Sequence, residues 1–571
     1  MNSYKYYSKE YWQSQIAKAL AWRKKKGREE RWDDITRYYE HRFEQELEPR
    51  FNLIYMLANS LVPSLVFSNP HVINTARRPD FQYWATFFDG IDNLLIDELE
   101  IQTTLEEAVL QCFLYNTVGL HLGYDFAETN DVEDELVFKP LRGVLDRSRK
   151  TNQPWIDLIT PDKLILAPGT KTIRNCRWFG KFLCLPTRVL KKRKDFINVV
   201  VTEVPDEIAK KEGNKWLESE RENEGYTSFY ELHDAETGKM FCIDTKGNFI
   251  LRPVIDPCQV DGLPLEVLTF NSGANSIWGT PDSLYIESQF LEGNECRKDG
   301  RLQRRAAIVK AFYDKNLLSE EDVIKYLEGD PMMMIGVDLP PDKKLSDLIV
   351  TIQPHVQMEL FETQKQLLND AQLIVGNGPN QFGTFAPGRR TKYETQVVEE
   401  RNLLRTGSRR QKVADTLGVL VSRMNQLIVR YWKAPIIVRV LGRDAGIYWV
   451  KGLPSEFKEI QQQLVTKVNV ESLTPTSRER RKQEMMELLQ IIPKFQGTNF
   501  MPLLQNFLSA FDWADVSKIL PQLNNNPMSM QEFQTKQNAI QKDPNYMQTL
   551  QNNLGGMSKL IGKLPSMGEA Q

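Results

Sequence analysis

Apolar and polar positions alternate with two different periods along this chain, and the change of period divides it. Through the first hundred residues the apolar positions fall at helical spacing. Trp12, Ile16, Ala19, Leu20 and Trp22 make a rough stripe, followed by the basic run Arg23, Lys24, Lys25 and Lys26. Such a run reads as a solvated helix face, with DNA contact the less common alternative. Residues 51–57 read as a helix that gives way near Ser68-Asn69-Pro70 to an extended segment, because a residue before proline disfavours αR. Residues 81–114 continue as an amphipathic helical stretch.

From about Val118 the period shortens. Segments 118–124, 155–159, 164–166, 178–183 and 229–232 are short, rich in aromatic and branched residues, and bounded by Gly, Pro and Asp. Segments 239–242 and 248–251 flank Asp244-Thr245-Lys246-Gly247, a hairpin signal. The region to about Ile277 is therefore α+β. After Trp278-Gly279-Thr280-Pro281-Asp282 the pattern is helical again to about Lys310. Ser319 with Asp322 reads as an N-cap for 323–327, and segments 332–335 and 348–352 read as strands. A second long helix covers 355–375, with Leu360, Phe361, Leu367, Leu368, Ala371, Ile374 and Val375 on one face.

Residues 376–388 carry four Gly and two Pro, which forbids a helix there. The longest helix, 392–432, keeps Val413, Leu417, Leu420, Val421, Met424, Leu427, Ile428 and Tyr431 on one face. Strand-like pieces follow at 436–440 and 465–470. Thr476 and Glu479 form a capping box for a helix to about 491, and 502–511 is helical. Beyond about Asn524 the chain is rich in Gln, Asn, Met and Ser with little periodicity, and reads as a flexible tail. There is no internal repeat.

Composition narrows the function. The 571 residues hold 73 Lys+Arg against 75 Asp+Glu, a net charge of -2. A chain that coats DNA non-specifically is normally basic, because its affinity comes from neutralising phosphates. The 6 Cys show no C-x-x-C pair, which suggests buried thiols in a reducing compartment. Neither a signal-peptide core nor an apolar run near the ~18 residues of a membrane span is visible. The expectation is a soluble, cytoplasm-made protein without membrane contact.

The sequence carries no recognisable catalytic motif. Residues 383–391 have the glycine spacing of a phosphate-binding loop, but Arg389 and Arg390 stand where its Lys and Ser/Thr belong, and the preceding segment is helical. The five histidines, His41, His71, His121, His233 and His355, show no metal-ligand spacing and read as isolated. No carboxylate cluster and no G-x-S-x-G elbow is evident. The expectation is no catalytic residue, no metal and no cofactor. One basic surface stands out: Arg297, Lys298, Arg301, Arg304, Arg305 and Lys310, opposed only by Asp299. Arg297, Arg301, Arg304 and Arg305 share one helix face, which is a solvated surface, an intersubunit ion-pair surface or, with many copies about an axis, a ring of charge.

In serial order these features resemble the portal protein (head-to-tail connector) of tailed bacteriophages, over about 43–500. The similar segments are 51–57 with Ser68-Asn69-Pro70-His71-Val72, then 116–125, then Leu158 to Leu164 with Pro168. Trp278-Gly279-Thr280-Pro281 with Gln289 to Asn294 and the basic end resembles the family's first stem helix. Gly388-Arg389-Arg390-Thr391-Lys392-Tyr393-Glu394-Thr395 sits where the family opens its long helix, although Lys392 and Tyr393 depart from the family's pattern.

The resemblance implies an α+β portal fold. Its parts are a wing at 1–278, stem helix 1 at 279–311, a clip at 312–354, stem helix 2 at 355–376 and a tunnel loop at 377–391. A spine helix follows at 392–432, a return to the wing at 433–474, a crown at 475–523 and the tail at 524–571. It implies a non-enzymatic homo-oligomer, usually a dodecameric ring, at one capsid vertex of a virion assembled in the host bacterial cytoplasm. Double-stranded DNA would pass through it. Its partners would be terminase, head–tail adaptor proteins, and major capsid and scaffolding proteins. The channel-facing candidates are Asn377, Asn380, Gln381, Phe382, Phe385, Arg389, Arg390 and Lys392, with pairing of the basic ones to a neighbouring subunit's acids as the competing reading. Two other classes stay open: a nucleic-acid enzyme such as a nuclease or packaging ATPase, and a capsid or adaptor protein without a channel.

Overall fold

The computed structural model describes residues 7–42, 50–66, 69–125, 153–193, 195–202, 225–307, 310–313, 349–352, 358–376, 392–432, 435–441, 447–453, 463–469 and 526–542, with four isolated positions at 321, 324, 456 and 460. The fold is α+β. The chain forms two compact units: residues 1–35, 58–283 and 386–571 make the first, and 36–57 with 284–385 make the second. The chain therefore leaves the first unit and returns to it. Residues 36–57, expected in the wing, cluster instead with the second unit.

In the first unit, helix α1 (Lys9–Gly27) begins at Ser8, whose side chain accepts from the Tyr11 N–H. Its buried Trp12 sits edge-on to Trp178 and Phe241 at 5.5 and 4.7 Å, in an apolar core shared with Leu164, Ile243 and Trp278. The basic run splits. Lys24, Lys25 and Lys26 are exposed as expected. Arg23 is buried; it donates to the carbonyls of Pro161, Asp162 and Leu164 and pairs with Glu29 at 2.7 Å. A buried guanidinium needs this full set of acceptors. Helix α2 (Trp32–Tyr39) and helix α3 (Leu53–Leu65) follow, the latter running through Pro63. The extended segment after it is strand β1 (His71–Ala76). The amphipathic stretch is two helices, α4 (Gln82–Glu98) and α5 (Ile101–Tyr115), because Glu100 is left-handed at φ 50° and breaks the run.

Strands β2 (Thr117–Asp125), β3 (Gln153–Ile159) and β9 (Leu265–Thr269) form an antiparallel sheet in the order β3-β2-β9. Strands β4 (Leu164–Leu166), β5 (Trp178–Pro186), β6 (Tyr226–Asp234), β7 (Lys239–Asp244) and β8 (Phe249–Ile255) make an antiparallel meander. The short helix α6 (Thr187–Lys191) follows β5. The expected hairpin is β7–β8, with Gly247 at φ 86° in its turn. Gly279 of the Trp-Gly-Thr-Pro signature is required sterically: a Cβ there would lie 1.9 Å from the Asn271 carbonyl oxygen and 2.6 Å from Asn116 Nδ2. The Asn116 side chain spans the Asn271 backbone, accepting from its N–H at 2.8 Å and donating to its carbonyl at 2.9 Å.

The short helix α7 (Asp282–Tyr285) precedes helix α8 (Glu287–Ala306). The helical stretch thus starts where expected and ends earlier, and Lys310 lies on strand β10 (Lys310–Tyr313) rather than on the helix. Strand β11 (Ile349–Ile352) pairs antiparallel with β10, and helix α9 (Glu359–Val375) follows. The 40-residue helix α10 (Lys392–Tyr431) belongs to the first unit and is about 60 Å long. Its expected stripe is buried from Val413 to Ile428, against β9, β14, β2 and β3. Charged residues fix it: Arg409 pairs with Asp282 at 2.8 Å, Arg423 with Glu266 at 3.1 Å, and Lys412 donates to the Phe270 carbonyl at 2.7 Å.

Strands β12 (Ile436–Leu441), β13 (Ile447–Gly452) and β14 (Leu464–Asn469) follow, with β14 antiparallel to β1. A buried polar network crosses this join. Asn74 of β1 donates its side chain to Asp92 Oδ2 at 2.7 Å and its backbone N–H to Asp89 at 2.5 Å. Asn425 of α10 donates to the same Asp92 oxygen at 3.0 Å, and Thr466 of β14 donates to Asn74 at 2.7 Å.

Part of the expected flexible tail is folded. Strand β15 (Met528–Ser529) pairs parallel with β13, and helix α11 (Met530–Lys542) follows it. Phe533 is buried, edge-on to Tyr83 at 5.7 Å and Tyr448 at 5.4 Å. The weak periodicity hid two anchoring residues, Met530 and Phe533, in a glutamine-rich run. The cap at Ser319, the strand at 332–335, the helices at 476–491 and 502–511, and the crown at 475–523 lie outside the described residues.

Candidate functional site

The basic surface sits on the helical pair of the second unit. Gln364 of α9 donates to the Gly293 carbonyl of α8 at 3.3 Å, while Arg304 lies beside Leu360, so the helices run antiparallel. The segment before α3 is pinned to α8. The Phe51 N–H donates to Asn294 Oδ1 at 2.8 Å, Asn294 donates to the Phe290 carbonyl at 3.0 Å, and the Arg297 guanidinium lies 4.7 Å from the Phe51 ring centroid. A cation over an aromatic face is favourable. Phe51, Phe290, Arg297, Phe361 and Leu368 line a cavity of about 350 Å³.

The six basic residues separate accordingly. Arg297 is half-buried and committed to Phe51, and Arg301 is half-buried. Lys298, Arg304 and Arg305 are exposed, and Arg304 borders the seam with α9. Among the described residues no carboxylate forms an ion pair with Arg304 or Arg305. Lys310 lies on β10. Of the other candidates, Asn377, Asn380, Gln381, Phe382, Phe385, Arg389 and Arg390 lie outside the described residues, and Lys392 is the first residue of α10.

The helical pair has little core of its own. Phe290, Gly300, Ala371, Gln372 and Val375 are its buried residues. Tyr285, Leu291, Leu302, Met358 and Leu373 are exposed, Leu373 at 71%. Ile374, read on the apolar face of α9, is exposed as well.

A second constellation lies in the first unit, and the linear reading missed it. His121 of β2 and His233 of β6, read as isolated, have ring centroids 5.2 Å apart. His233 is bracketed by two carboxylates: Nδ1 is 2.6 Å from Asp256 and Nε2 is 3.2 Å from Glu231. Burial pulls the His233 pKa down, but Asp256 and Glu231 outweigh it and raise it to about 10. Phe179 stacks on the His233 ring at 4.6 Å. His121, Glu231 and His233 each bring one ligand atom within 4.8 Å of the others. The only linear trace is Glu231-Leu232-His233, an alternation that puts both polar groups on one face of a strand. His121 is 110 positions away and joins through tertiary packing.

No protein-family model matches the sequence, and no curated protein matches it. Among solved structures, one similar chain belongs to the structure titled "Virion of native gene transfer agent (GTA) particle". It is 10% identical, with 83% of this chain and 93% of that chain covered and a TM-score of 0.38.

Proposed function

We propose that this chain is the portal subunit of a tailed bacteriophage. In this reading it forms a ring, dodecameric as in the family it resembles, at one capsid vertex. Double-stranded DNA is packaged and ejected through the ring, which docks terminase and later head–tail adaptor proteins and sits among capsid and scaffolding proteins. The chain itself is not an enzyme; terminase hydrolyses the ATP.

One observation carries the reading: the order of elements across the second unit. Helix α8, the β10–β11 ladder and helix α9 form a single excursion from the first unit. It is followed by the glycine- and proline-rich stretch to 388 and then by the 40-residue α10. A shell protein has no need of this order. Two further features support the reading. The α8–α9 pair leaves large apolar side chains exposed, as subunits of obligate assemblies do before their neighbours cover them. The net charge of -2 suits a conduit, because each phosphate neutralised adds affinity and many such contacts would stall moving DNA.

Around a ring axis, Lys298, Arg304 and Arg305 repeat as a band of charge. In the same reading Arg389, Arg390 and Lys392 touch phosphates only transiently. Light scattering on the purified protein tests the assembly. The reading expects particles many times the 66.2 kDa subunit mass; monomers at every concentration overturn it.

A further inference from the structure

The structure assigns a use to the buried histidines that the portal reading leaves unexplained. We propose that His121, Glu231 and His233 bind one Zn²⁺ ion, which ties the β3-β2-β9 sheet to the five-stranded meander. Four observations carry the proposal.

The donor set comes first. Two imidazoles and one carboxylate are nitrogen and oxygen ligands of the kind zinc takes, with one position left for water. All three side chains are buried, so the set is not a chance grouping of surface charges.

The spacing comes second. With Zn–ligand bonds of about 2.05 Å, the edge of the coordination tetrahedron is about 3.3 Å. The observed separation of Glu231 Oε1 and His233 Nε2 is 3.2 Å. Adding a ring radius of about 1.15 Å puts each imidazole centroid about 3.2 Å from the ion, and so two centroids about 5.2 Å apart at the tetrahedral angle. The His121 and His233 centroids are 5.2 Å apart.

The surroundings come third. A metal-ligating histidine almost always gives its other ring nitrogen to a carboxylate or carbonyl, which fixes the ring and raises its basicity. Asp256, just past β8, holds His233 Nδ1 at 2.6 Å and is itself fixed by the Cys258 N–H at 2.8 Å. Nε2 then faces Glu231. The ion replaces the proton on Nε2, as metal binding requires.

Charge is the fourth. Lys181 stands opposite Glu231 across β5–β6, and Asp157 stands opposite His121 across β2–β3. These two pair with each other at 2.9 Å. Glu231 and Asp256, the two carboxylates on His233, bring two formal negative charges that match one divalent cation. Burying charge is costly unless it is matched in this way.

The test uses untagged full-length protein. Metal is removed with EDTA, and Zn²⁺, or Co²⁺ as a spectroscopic probe, is titrated back. The expected result is about one equivalent bound per chain, a visible-region Co²⁺ absorption of tetrahedral type, and a higher melting temperature with Zn²⁺. His121→Asn and Glu231→Gln should each weaken binding at least tenfold, and Asp256→Asn about tenfold. The unaltered protein needs no variant to fold, so its failure to bind Zn²⁺ at micromolar concentration overturns the proposal. So does undiminished binding by folded His121→Asn and Glu231→Gln variants. Neither outcome bears on ring assembly, which is read separately.

Discussion

Asp92 shows how a single buried carboxyl can set the pH response of the join between β1, α4, α10 and β14. It is fully buried, and both its donors, Asn74 and Asn425, meet the same oxygen. Burial raises its pKa from 3.8 to about 7; the two amide hydrogen bonds oppose this and the nearby Asp89 adds to it. Asp89 is raised to about 7 as well, again by burial, with hydrogen bonds from Asn74 opposing. The folded chain therefore keeps protons that the unfolded chain releases above pH 3.8. Their stabilising contribution is complete below that pH and is lost as pH rises through about 7. Asparagine at 92 mimics the protonated form. The melting temperature of Asp92→Asn should exceed that of the unaltered protein at pH 8, and the gap should close toward pH 5. A gap independent of pH, or one that widens in acid, contradicts this.

Whole elements were legible to different degrees, and the reason is how local their signals are. The stripe from Val413 to Ile428 repeats over about four turns of α10, so its burial could be read directly. The β7–β8 hairpin announced itself through Gly247. The break between α4 and α5 did not, because apolar spacing continues on both sides of Glu100. The role of Arg23 was hidden in a run of four cations; Glu29 and the carbonyls of Pro161, Asp162 and Leu164, the last three far along the chain, set it apart from its lysine neighbours. His121 and His233 were legible as residues but not as a pair. The α11 segment was obscured by its composition, since two apolar anchors suffice to dock a polar helix. Phe533→Ala should shift that docking by about 3 kcal/mol, roughly a hundredfold in equilibrium. Limited proteolysis would then cut within 526–542 much faster than in the unaltered protein; unchanged cutting would show that Phe533 does not hold the segment.

At the scale of the molecule, the two units divide their tasks. The first buries hydrophobic cores around Trp12 and around Phe229 and ties residues hundreds of positions apart through Asn74, Asp92, Asn425 and Thr466. The second exposes apolar side chains on a helical pair and carries the basic residues of α8. Among the described residues, no helix is long and apolar enough to cross a membrane. In the proposed function such a chain is one copy among many, and neighbouring copies cover the exposed apolar side chains of the second unit. Electron-microscope images of the purified particles test that claim most directly. The account predicts closed rings with an open axial channel and, in a reconstruction, residues 377–391 at the channel wall. Particles without rotational symmetry, or rings whose centre is filled by the first unit, would contradict it.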